Sequence, residues 1–163
     1  MSPNTCWLCK IFRAEEKGIS SKLSLEEVLQ WSQSFDKLIT SKYGPTIYKT
    51  YLKTEHSDEN IEFWLACEAY KKITSQRKRI SVARKLFTHY IQPQAPNEIN
   101  IDSPVRNAIT RNIQEATQSC FDEAQRIIYM HMERDSYPRF LESDFYQKLK
   151  HSLQTHGNNS TVN

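Results

Sequence analysis

Apolar positions recur along this chain at the three- and four-residue spacing of helices and nowhere alternate as strands do. The first start signal is "SLEE", in which Ser24 caps and Glu27, three residues on, reaches back. Behind it Val28, Leu29, Trp31, Phe35, Leu38 and Ile39 predict one helix. "YGP" stops it, Gly44 suiting a C-terminal turn and Pro45 the first turn of a short helix carrying Ile47, Tyr48, Tyr51 and Leu52. Ser57 is the expected N-cap of the next, with Asp58 and Glu59 where the helix dipole favours anions. Ile61, Phe63, Trp64, Leu65, Ala66, Cys67, Ala69 and Tyr70 cover most of its circumference, the pattern of a helix at the centre of a bundle. A further helix carries Val82, Leu86, Phe87 and Tyr90.

"QPQAPNEINIDSP", residues 92–104, has no helical period, and long loops of this kind often carry function. Asp102 or Ser103 caps the helix that follows, with Pro104 in its first turn. Phe121, Ala124, Ile127, Ile128 and Met132 mark another, interrupted at "DSYP" because Pro138 disfavours a helical Tyr137. Short helices at 140–141 and 145–149 finish the fold, and from Thr155 onward Gly, Asn and Ser predict fraying. The reading is a compact all-α bundle: an N-terminal tail at 1–22, one domain at 23–152 and a disordered tail at 153–163.

Composition narrows the function. In 163 residues there is room for one ordinary domain, and a net charge of +3 is too small to make nucleic acid the main partner. Glycine is scarce at 3, which favours helices over sheets. No apolar run approaches the roughly 18 residues of a spanning helix, and the first residues lack the layout of a secretory signal. Four cysteines without a framework spacing point to a reducing, cytoplasmic setting.

Self-contained catalytic chemistry is not visible: there is no nucleophile–base–acid set, phosphate loop, paired-carboxylate site or metal-ligand spacing. No cofactor or metal is expected. "CWLC" lacks the four ligands of a zinc site and the βαβ context of a redox pair. In it Cys6 and Cys9 lie among Trp7, Leu8, Ile11, Phe12 and cations, the composition of a membrane-surface segment whose thiols are candidates for palmitoylation. The cations Lys71, Lys72, Arg77, Lys78 and Arg79 are most simply a solvated helix end, and candidate contacts for anionic lipid beyond that. Cys67 and Cys120 suit core packing. Three polar junctions remain, at 56–60, 98–103 and 135–139. Capping explains Ser57, Asp102 and Ser103, but Asn60 stands at the third helical position, where Glu or Gln usually completes a capping box. It shares a stripe with Trp64 and Cys67, so its amide lies at the mouth of the core.

These junctions carry a resemblance. "SDENIEFWLACEAYKK", "EINIDSPVR", "CFDEAQRIIYMHME" and "DSYPRFLESDFYQKL" resemble successive signatures of the regulator of G-protein signalling (RGS) family, in order from about Trp31 to Leu149. The resemblance implies a nine-helix domain of two lobes, one made by the central helices and one by the two ends of the chain. It also implies a monomeric GTPase-activating protein for heterotrimeric Gα subunits, acting on their GTP or transition-state form; GTP and magnesium belong to that partner. Carried over by position, the Gα contacts would be Glu55, Ser57, Glu59 and Asn60, then Glu98, Asn100, Asp102 and Ser103, then Asp135, Ser136 and Arg139. His131, beside them, replaces an apolar residue usual in the family, and His56 a frequent aromatic. Ser57 and Asn100 match members acting on inhibitory and q-type subunits. Such a protein is cytoplasmic, with peripheral plasma-membrane association through its tail. The alternative is a helical module that sequesters Gα–GTP, or scaffolds at the membrane, without accelerating hydrolysis.

Overall fold

The computed structural model describes residues 23–162, so the 1–22 tail with Cys6 and Cys9 lies outside the described residues. Among the described residues every regular element is helical, and no helix is long and apolar enough to cross a membrane. The chain divides into two compact units, 23–56 together with 136–162, and Ser57–Asp135. One unit is thus built from both ends of the chain and the other from its centre, the partition that the resemblance implies.

The terminal unit holds α1 (Leu25–Gln30), α2 (Phe35–Ile39), α3 (Gly44–Thr54), α8 (Tyr137–Glu142) and α9 (Asp144–Val162). Ser24 caps α1 as expected, its Oγ accepting from the Glu27 amide at 3.1 Å. The single helix expected over 24–39 is instead two. Ser32 and Ser34 are weak helix formers, and the Ser34 hydroxyl accepts from the Lys37 amide at 3.1 Å, starting a new helix in place of continuing the old one. Trp31 and Phe35, on either side of the break, are both buried in the core.

Aromatic rings fill that core. Phe35, Tyr48 and Phe140 meet edge to face, with Tyr48 centroids 5.7 and 5.4 Å from the other two. The hydroxyls of Tyr137 and Tyr146 donate to the Trp31 and Val28 carbonyls, each at 2.6 Å, and so satisfy backbone acceptors at the end of α1. Gly44 opens α3 and does not close the helix before it. A Cβ there would lie 2.0 Å from the Leu38 carbonyl oxygen, so close approach of the backbone requires glycine. The backbone of α9 stays helical to Val162, beyond the Thr155 at which composition predicts fraying.

The central unit holds α4 (Glu59–Lys71), α5 (Gln76–Leu86) continued by a π-helical turn (Phe87–Ile91), α6 (Ser103–Asn112) and α7 (Asp122–His131). Helix α4 packs on α5 and α7 and buries Ile61, Phe63, Cys67 and Tyr70. The buried stripe is narrower than the apolar pattern: Trp64, Leu65 and Ala66 are half-buried and Ala69 is exposed. Cys67 is a core residue, and burial pushes its thiol far above the ordinary range. Cys120 is only half-buried. A second π-helical turn, Met132–Ser136, follows α7 and leads directly into α8. "DSYP" therefore does not interrupt the helix as expected. Tyr137 is helical, because Pro138 falls in the first turn of α8, where an amide proton has no intrahelical partner to lose.

Candidate functional site

In the central unit, α4 begins at Glu59 with Asp58 before it, and no side chain caps it. Ser57 is therefore not the expected N-cap. Asp58 already has helical backbone angles, φ −71° and ψ −12°, in place of the extended cap conformation. The Ser57 carbonyl accepts from the Asn60 backbone amide at 3.4 Å, while its buried Oγ has no hydrogen-bond partner among the described residues. Asn60 is consequently the second helical residue and not the third. Its side chain is half-buried, and no hydrogen bond joins its amide to any described residue. Beside it, burial raises the Glu59 carboxyl above its ordinary range, and Asp58 and Glu62 add to the shift. The start of α4 thus concentrates polar groups that no described residue satisfies. Each such group costs about 1–3 kcal/mol when desolvated without a partner.

The second junction is an ordered strap. Ile99 and Ile101 are buried while Glu98, Asn100 and Asp102 are exposed, a period of two that an extended chain enforces. The strap is tied down by the Asn97 amide to the His89 carbonyl and the Ile99 amide to the Tyr90 carbonyl, both at 3.0 Å. Glu98 is held at both oxygens, by the Gln94 amide at 3.0 Å and by the Arg106 guanidinium at 3.1 Å. Arg106 also donates to the Ile91 carbonyl at 2.9 Å. Asp102, not Ser103, caps α6, accepting from the Val105 amide at 3.4 Å. Asn100 and Ser103 are exposed, as are His131 at the end of α7 and Asp135 in the π-helical turn.

In the terminal unit Glu55 and Arg139 are joined. The guanidinium donates twice to the carboxylate, Nε to Oε2 and Nη2 to Oε1, both at 3.0 Å, and the Tyr51 hydroxyl adds a bond to Oε2 at 2.8 Å. A bidentate pair of this kind fixes the orientation of both side chains. Ser136 is placed differently from an exposed contact: it is 5% exposed, and its hydroxyl shares a 2.9 Å hydrogen bond with that of Tyr48. Of the cations, Lys71 pairs with Glu68 at 3.0 Å and Arg79 turns back onto the Ile73 carbonyl, whereas Lys72, Arg77 and Lys78 are exposed.

Sequence reasoning passed over Glu62, Asn97 and Arg106. The Asn97 amide nitrogen donates to Glu62 Oε2 at 3.1 Å and stands 3.1 Å from His89 Nε2. Burial, with the nearby Glu62 charge next, lifts the Tyr90 phenol to about 12. No local pattern announces a bond between residues 35 positions apart.

Residues 34–149 match the family model described as the regulator of G protein signaling domain. The chain is 63% identical over 160 residues to human "Regulator of G-protein signaling 13", covering 98% of this chain and 99% of that protein. To the mouse protein of the same name it is 60% identical over 155 residues, 95% of this chain and 98% of that one. Human "Regulator of G-protein signaling 8" is 48% identical over 128 residues, 78% of this chain and 71% of that one.

Proposed function

The chain belongs to the regulator of G protein signaling family, and from that premise we propose that it accelerates GTP hydrolysis by heterotrimeric Gα subunits without covalent chemistry of its own. A Gα subunit already carries an arginine that stabilises transition-state charge and a glutamine that orients the attacking water. What remains is to hold the switch segments in the reacting geometry. A partner that binds this geometry more tightly than the ground state lowers the barrier by the difference.

The observation that carries this reading is the start of α4, where the Asn60 side-chain amide and Ser57 Oγ have no partner among the described residues. A neutral amide that both donates and accepts suits a glutamine side chain and a backbone group of a switch segment, and adds no charge. Glu59, Asn100, Asp102, Ser103, His131 and Asp135 complete the proposed contacts in the central unit. The terminal unit contributes Glu55 and Arg139, each pre-oriented by the other. Ser136 supports this surface from within the core. The partners are inhibitory and q-type Gα in their GTP or transition-state form. Cys6 and Cys9, with Lys72, Arg77 and Lys78, bring the chain to the inner face of the plasma membrane.

Single-turnover GTP hydrolysis by an inhibitory-type Gα tests the reading. The full chain is expected to accelerate it, and Asn60→Ala to remove most of the acceleration, on the order of 10²-fold for loss of a transition-state hydrogen-bonding group. Binding of Gα–GTP with no change in its hydrolysis would replace the activator by a sequestering module.

A further inference from the structure

The second-junction strap is held to α4 by a hydrogen-bonded bridge that backbone packing alone does not provide. Glu62, one turn into α4, accepts from the Asn97 side-chain amide nitrogen at 3.1 Å. Asn97 is fixed a second time at its backbone, by the His89 carbonyl at 3.0 Å, and stands against the His89 ring at 3.1 Å. Asn97 thus precedes the extended run 98–102 and sets where that run begins. In an extended segment a slip of one residue exchanges the outward and inward faces, so a pin at the start decides which residues are presented. Arg106 pins the next residue, Glu98, from the other side. Glu62 and Asn60 are both residues of α4, so the bridge refers the strap that carries Asn100 to the helix that carries Asn60.

We infer that Asn97 is a positioning residue for Gα recognition: by bridging to Glu62 it holds the 98–103 strap in the register that presents Asn100 beside the start of α4. This rests on the activator reading above. The bridge stiffens the free protein, so it lowers the ordering cost of association and leaves the chemistry of the Gα site alone. Its removal weakens binding of the partner and does not slow hydrolysis in the complex.

The test is single-turnover GTP hydrolysis by Gα titrated with the full chain and its variants, with thermal unfolding of each. Asn97→Ala is expected to raise the half-saturating concentration about tenfold, the loss of one hydrogen bond to a carboxylate, with the saturating rate unchanged. Asn97→Asp sets a carboxylate against Glu62 and is expected to be worse than alanine. Adding Glu62→Gln then restores one donor and one acceptor with the roles exchanged, and recovers the half-saturating concentration. Unchanged half-saturation in Asn97→Ala, a fall confined to the saturating rate, or failure of Glu62→Gln to rescue Asn97→Asp would each overturn the inference. If the full chain does not accelerate hydrolysis at all, the activator reading fails by itself. The same variants titrated for Gα–GTP binding then decide the positioning role, and equal affinities would overturn it.

Discussion

Replacing Asn60 by alanine separates what the residue does for the fold from what it does for a partner. Asn60 is the second residue of α4, and its backbone amide, not its side chain, bonds to the Ser57 carbonyl at 3.4 Å. Alanine keeps that bond. Alanine is also the better helix former by roughly 0.6 kcal/mol, and it removes a half-buried amide that no described residue satisfies. Little apolar packing is given up, because the side chain is only half-buried. The isolated protein should therefore gain about 0.5–1 kcal/mol, visible as a urea midpoint shifted upward at constant slope. The same gain raises the melting temperature by about 1–4 °C. A variant that is more stable yet inactive is the signature of a residue retained for binding. A loss of more than about 1 kcal/mol would refute the reasoning, since it would mean that the amide is bonded inside the native fold.

Two further predictions concern the scaffold. Gly44→Ala should cost about 2–3 kcal/mol by chemical denaturation, because the added methyl would meet the Leu38 carbonyl at 2.0 Å and backbone must move to admit it; unchanged stability would show that α2 and α3 do not approach as described. Glu68 tests pH dependence: burial pushes its carboxyl upward, but hydrogen bonds from Gln125 and Lys71 win and leave it below its ordinary value near 4.5. A depressed folded pKa contributes stability above the unfolded pKa and loses it as pH falls through the folded one. Glu68→Gln should accordingly be less stable than the parent at neutral pH, with the difference closing in denaturation curves as pH falls below the ordinary carboxylate value.

Helix existence and the identity of the core were legible because they depend on spacing: Phe35, Tyr48, Phe63, Phe121 and Phe140 sit where the periodicity places them. Boundaries set by competition between a side chain and the backbone were less so. Ser34 starts a helix inside what reads as one continuous pattern, whereas Ser57, with the better-looking context, caps nothing. The π-helical turns leave no trace in the spacing. That is why Ser136, in the polar string "RDSYP", reads as exposed although the turn delivers it to Tyr48. The three polar junctions were legible as sequence, but the capping-box spacing that singled out Asn60 placed it at the third helical position when it is the second. The arrangement within the site was not legible, since the Glu55–Arg139 pair spans 84 positions and the Glu62–Asn97 bond 35.

The central claim is preference for the reacting geometry of Gα, and affinity measures it most directly. Binding of the full chain to Gα carrying GDP and a metallofluoride mimic of the transferring phosphoryl group should be at least about 100-fold tighter than to Gα with a non-hydrolysable GTP analogue. Asn60→Ala should reduce that ratio. Equal affinity for the two states would contradict the account, since uniform binding supplies no acceleration.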